Sequence, residues 1–121
     1  LDYDCGTMIM TDIAGASGGG FAVDGAFHVI THFDSKFDAV ANGGTLAVTD
    51  QVRYEGDATL MGNPVNVVYD AETDAVYVAE LANGGGQILT YGNVSSSAGG
   101  NVAPNSATAL SGVSSLYLYK D

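Results

Sequence analysis

Tryptophan is absent from this 121-residue chain, cysteine occurs once, and only Lys36, Arg53 and Lys120 carry positive charge. Each shortage excludes something. A single thiol, Cys5, closes no internal disulfide, so the staple on which small secreted domains depend is missing. Cys5 has no histidine near it in sequence and adjoins a strand-like run, which predicts a half-buried structural thiol. Three cations against 14 carboxylates leave a formal charge of −11. Such a chain repels phosphate backbones and anionic headgroups, so neither nucleic acid nor an acidic membrane is an expected partner. No apolar run approaches the ~20 residues of a membrane-spanning helix, and no basic-then-apolar signal region is present.

What is abundant is small. Apolar residues make up 46% of the chain and glycine contributes 17 residues, with many alanines and serines besides. The length suits one domain, residues 1–121, with a thin, turn-rich core. A chain that begins at Leu1 fits a mature form or a proteolytic fragment, and the acidic, lysine-poor surface fits an extracellular or cell-surface setting.

Apolar residues recur with period two or in short runs, interrupted every few positions by Gly, Asn or Asp, which predicts an all-β fold. The expected strands are Thr7–Ile13, Ala26–Phe33, Phe37–Ala41, Thr45–Val52, Ala58–Met61, Val65–Tyr69, Ala75–Leu81, Gln87–Tyr91 and Ser115–Tyr119. Two stretches, 14–20 and 92–111, are rich in Gly, Ser, Ala and Asn and read as loops. The second could alternatively be an arm that carries the strand 115–119 away from the body to pair elsewhere.

Three segments align without gaps: Gly6-Thr7-Met8-Ile9-Met10-Thr11-Asp12, Gly44-Thr45-Leu46-Ala47-Val48-Thr49-Asp50 and Asp74-Ala75-Val76-Tyr77-Val78-Ala79-Glu80. Each is a turn residue, an apolar strand and a closing acid, the mark of an internal repeat. The run Asn63-Pro64-Val65-Asn66-Val67-Val68-Tyr69-Asp70, followed by Ala75-Val76-Tyr77-Val78-Ala79-Glu80-Leu81-Ala82-Asn83, resembles the blade signature of NHL-type and lactonase-like β-propellers. The resemblance covers residues 37–91. It implies an antiparallel meander of blade-like repeats, incomplete for a closed propeller, with a β-sandwich as the alternative architecture.

Candidate chemistry is sparse. Asp12, Asp50 and Glu80 close equivalent strands, so in a propeller-like array they could ring a cation, and the resemblance adds that lactonase-like propellers hold a central calcium through acids and asparagines. Strand-end acids also serve simply to bind backbone N–H groups. Asp70, Glu72 and Asp74 alternate as in calcium loops, yet Ala75 and Leu81 stand where an EF-hand needs Gly and Glu, and a hairpin turn explains the same acids. His28 and His32 lie ~13 Å apart on a strand, too far to share one metal; a site pairing His28 with a distant Asp stays open. The strand tyrosines read as core packing, or as a sugar- or peptide-binding platform.

The function expected from these readings is a non-enzymatic, extracellular or surface β-repeat module that binds copies of itself through edge strands, as an oligomer or filament. Scarcity of lysine removes a common edge protector. The alternative is a fragment of a lactonase-like hydrolase with a divalent cation at Asp12, Asp50 or Glu80.

Overall fold

The computed structural model describes residues 1–13 and 23–121; the glycine-rich loop expected at 14–20 lies outside them. Among the described residues eight strands form two four-stranded antiparallel sheets, each a meander in chain order. The first holds β1 (Asp2–Asp4), β2 (Thr7–Ile13), β3 (Gly25–Ile30) and β4 (Val52–Glu55). The second holds β5 (Pro64–Asp70), β6 (Ala75–Glu80), β7 (Gln87–Gly92) and β8 (Ser106–Ala109). The fold is all-β and sandwich-like, and the sheets do not close into a propeller.

Alternation decides which face is buried. In the second sheet Val67, Val78 and Leu89 stand opposite one another across three strands, as do Tyr69, Val76 and Tyr91, and all six are buried. In the first sheet Ile9 pairs with Val29 and Phe27 with Tyr54 on the facing side. The rings of Phe27 and Tyr54 stack at 4.5 Å, and Tyr91 meets both edge-on at 5.0 and 5.8 Å. This aromatic triad joins the sheets, each sealed ring contributing roughly 1.5–3 kcal/mol of burial. The Tyr91 hydroxyl donates to the Thr59 carbonyl, so its burial leaves no polar atom stranded.

The two sheets also share edges. Backbone N–H groups of Tyr69 and Ala71, at the end of β5, donate to the carboxylates of Asp2 and Asp4 on β1, at 2.7 and 3.0 Å. The outer edge of β4 is closed by Gly100, from the connection between β7 and β8. Gly100 N–H donates to the Arg53 carbonyl at 2.8 Å, and Glu55 N–H donates to the Gly100 carbonyl at 3.1 Å.

Four expected strands are not strands. Phe37–Ala41 falls at the end of a short helix, α1 (Phe33–Asp38), where Phe33 and Phe37 stack at 5.5 Å with the i, i+4 spacing of a helix face. Thr45–Val52 is mostly exposed coil ending in a 3₁₀ turn at Val48–Asp50, and only Val52 enters β4. Ala58–Met61 is a tight turn in which the Thr59 hydroxyl donates to the Gly56 carbonyl. Ser115–Tyr119 is extended but joins no ladder. Conversely, β1, most of β4 and β8 lie outside the expected strands; β8, inside the 92–111 stretch, has four exposed small side chains and no apolar alternation to reveal it.

The internal repeat survives in two of its three copies. Gly6–Asp12 and Asp74–Glu80 supply β2 and β6, the second strand of each sheet. The middle copy, Gly44–Asp50, has no sheet face to bury: Val48 is 82% exposed.

Candidate functional site

Asp12, Asp50 and Glu80 occupy three separate environments. Asp12 lies on the outer face of the first sheet, where its Oδ2 is 3.2 Å from Arg53 Nη2 and 3.1 Å from His28 Nε2. The other imidazole nitrogen of His28 sits 2.8 Å from Gln51 Oε1. His28 therefore does meet a distant aspartate, but the chain of contacts ends on an amide rather than on a hydroxyl or thiol. Asp50 belongs to the 3₁₀ turn, and its backbone carbonyl accepts from the Lys36 ammonium at 2.8 Å.

Glu80 is fully buried. Its carboxylate accepts from three backbone N–H groups, those of Asn63 (2.9 and 3.0 Å), Ala82 (2.8 Å) and Asn83 (2.8 Å). This anion organises the turn after β6 and ties it to the start of β5. Among the described residues no group of three His, Cys, Asp or Glu side chains converges as metal ligands. The expected ring of acids required three equivalent strands, and the middle copy forms none.

The acids of the 70–74 loop build a turn. Asp70 accepts from the Thr73 hydroxyl at 2.7 Å and from Glu72 N–H at 3.1 Å, an Asx-type arrangement. Asp74, at φ 54°, accepts from the Tyr69 hydroxyl at 2.9 Å and from the Ser95 hydroxyl at 2.8 Å. Burial, reinforced by the Asp74 bond, pushes Tyr69 up to about 12. Cys5 is exposed in the β1–β2 turn, against the expectation of a half-buried thiol, because its left-handed backbone turns it away from the sheet. It lines an open cleft of about 380 Å³ with Thr7, Thr31, His32 and Ser95.

The most distinctive arrangement involves the segment 113–121. Val113 is buried, and beyond it the chain runs extended across the outer face of the second sheet. Side chains alternate: Leu116 and Leu118 turn inward, half-buried, lining a groove with Val68, Tyr77 and Ile88, while Tyr117 and Tyr119 are 88% and 75% exposed. The Leu116 N–H donates to Asn66 Oδ1 at 2.8 Å.

At the end of this segment the Lys120 ammonium enters an acidic nest. Its Nζ is 2.7 Å from Asp70 Oδ1, 3.5 Å from Asp4 Oδ2 and 3.8 Å from Glu72 Oε2. The Lys120 hydrogen bond, then that of Thr73, brings Asp70 down to about 2, and the Asp70 bond raises Lys120 in turn. No family model, curated protein or solved structure matches the chain.

The groove under the segment is imperfectly filled. A solvent-open groove of about 180 Å³ runs where Leu116, Tyr117 and Leu118 meet Val68, Tyr77 and Ile88, and a wider cleft of about 410 Å³ follows the segment along β1 and β5. Close-packed interiors leave few voids larger than a water molecule, so the segment is laid on the sheet rather than built into it. Period-two apolarity announced Leu116 and Leu118 in the sequence. Their seat and the nest for Lys120 carried no signal, since Asp4, Asn66 and Asp70 meet them across more than 45 residues of chain.

Proposed function

We propose that this chain is a non-enzymatic structural β module of the cell exterior or surface that associates with copies of itself. The observation that supports it is unsatisfied strand capacity. β8 is the edge of the second sheet, exposed at all four positions, Ser106 to Ala109, and no described residue pairs with its outer side. Leu110 N–H points to the Gly86 carbonyl, so antiparallel alternation turns the N–H groups of Ala107 and Ala109 outward. No lysine, proline or charge guards that edge, and bare edges recruit further strands.

Light scattering across a concentration series tests this reading. Self-association appears as a mass above that of one chain that grows with concentration. Ala107→Lys places a charge on the open edge and is expected to shift the equilibrium toward single chains. A mass of one chain at every concentration would refute the proposal.

A further inference from the structure

We infer that segment 114–121 is an exchangeable arm, seated in the groove of its own second sheet in a single chain and in the equivalent groove of a second copy in the assembly. The inference rests on the self-association reading above and names the surface and the occupant: the Val68, Tyr77 and Ile88 groove, filled by Leu116 and Leu118 of another copy.

Four observations carry it. The groove is already shaped for this arm, since it holds it in one chain. The arm forms no backbone ladder with any described residue, so lifting it breaks no sheet hydrogen bond. Among the described residues its polar attachments sit at two points, the Leu116 N–H on Asn66 and the Lys120 ammonium on Asp70, Asp4 and Glu72. A hinge precedes it: Gly112 adopts φ +75°, Val113 anchors the body side, and Ser114 and Ser115 are small and exposed. An exchanged arm remakes every one of these contacts. The open and closed forms then differ mainly in hinge conformation and in the freedom lost on association, the condition under which swapping is cheap.

The latch gives the exchange a control. Lys120 is 38% exposed on its side chain, so salt screens its attraction to the three carboxylates, and a screened latch lets the arm leave its own groove faster. Exchange between pre-formed single chains is therefore expected to speed up as ionic strength rises, as the Debye length shrinks from ~10 Å at 0.1 M to ~3 Å at 1 M, and a rate unchanged by salt would show that the latch does not control it.

Two single-thiol chains test the arm directly. One carries Asn66→Cys and the other Leu116→Cys, each with Cys5→Ser. They are unfolded together, refolded at high concentration and oxidised with glutathione disulfide, and the products are weighed intact. Arm exchange places the two unlike thiols together, so the mixed disulfide should rise well above the roughly one half expected from random pairing. A random distribution of products would overturn the arm. A substitution-free measurement stands beside it: in a mixture of isotope-labelled and unlabelled natural chains, contacts between Leu116 methyls and the Tyr77 ring should appear between molecules, and their restriction to single molecules would overturn it equally. Light scattering on the same samples separates the two proposals. Assembly without intermolecular arm contacts refutes the arm and leaves edge pairing standing, whereas single chains throughout refute both.

Discussion

Lys120 Nζ and Asp70 Oδ1 lie 2.7 Å apart, the shortest ion pair among the described residues, and they join the end of the arm to the last residue of β5. The pair sets the pH range over which the arm is held. Asp70 sits at about 2, below the ~3.9 of a free aspartate. A carboxylate depressed in the folded state contributes stability in full above ~3.9 and loses it as pH falls through its folded value. Asp4, lowered first by the Ala71 N–H and then by Lys120, acts in the same direction. The Leu116 amide resonance is expected to hold its folded position at pH 5 and to move as pH drops from ~4 toward about 2. An identical acid transition in Lys120→Met would show that the latch plays no part.

At the alkaline end the sign reverses. Lys120 is raised above its ordinary value, so its contribution is complete below ~10.4 and lost as pH climbs through the raised value. Arm release monitored through Leu116 should therefore begin at a higher pH in the natural chain than ordinary lysine titration predicts. Release centred at or below ~10.4 would contradict it.

Glu80 holds three backbone N–H groups in a fully buried setting. Glu80→Ala strips the shared acceptor from all three and is expected to cost about 3 kcal/mol in urea unfolding. Glu80→Gln keeps a carbonyl acceptor and should lose less. Equal losses would mean that the charge and second oxygen of the carboxylate, which Gln also lacks, carry the effect, and that packing volume, which Gln preserves, does not.

Gly99 adopts φ +69°, and a Cβ there would meet the Arg53 carbonyl oxygen and Val52 Cγ1, each at 2.5 Å. Gly99→Ala should push the 97–101 loop off β4 and cost roughly 1–3 kcal/mol. It should also free the Arg53 carbonyl and Glu55 N–H that Gly100 now satisfies. A second open edge is the result, and greater association by light scattering is the expected readout. Unchanged mass with reduced stability would show that this edge takes no part in assembly.

The strands legible in the sequence were those with both apolar alternation and a face to bury. Val67, Val76, Val78 and Leu89 show it in the second sheet, Ile9 and Val29 in the first. Thr45 to Gln51 has the same alternation without a buried face, and it forms coil and a 3₁₀ turn rather than a strand. Sequence periodicity records what a segment could bury, whereas the neighbouring strand decides whether it does. β8 is the converse case: its ladder to β7 fixes Ser106 to Ala109 although none of them is buried. The acids were visible as strand ends, but the partners through which they tie one element to another are far away in sequence. Asp12 finds Arg53, Glu80 finds Asn63, and Asp70 finds Lys120.

The division between sealed and solvated rings has an optical consequence. With no indole in the chain, its near-ultraviolet emission is phenolic alone. Tyr54 and Tyr91 are sealed between the sheets, while Tyr117 and Tyr119 stand in water. A soluble quencher therefore reaches Tyr117 and Tyr119, together with the exposed Tyr3 of β1, in the intact protein, and Tyr54 and Tyr91 only after the sheets part.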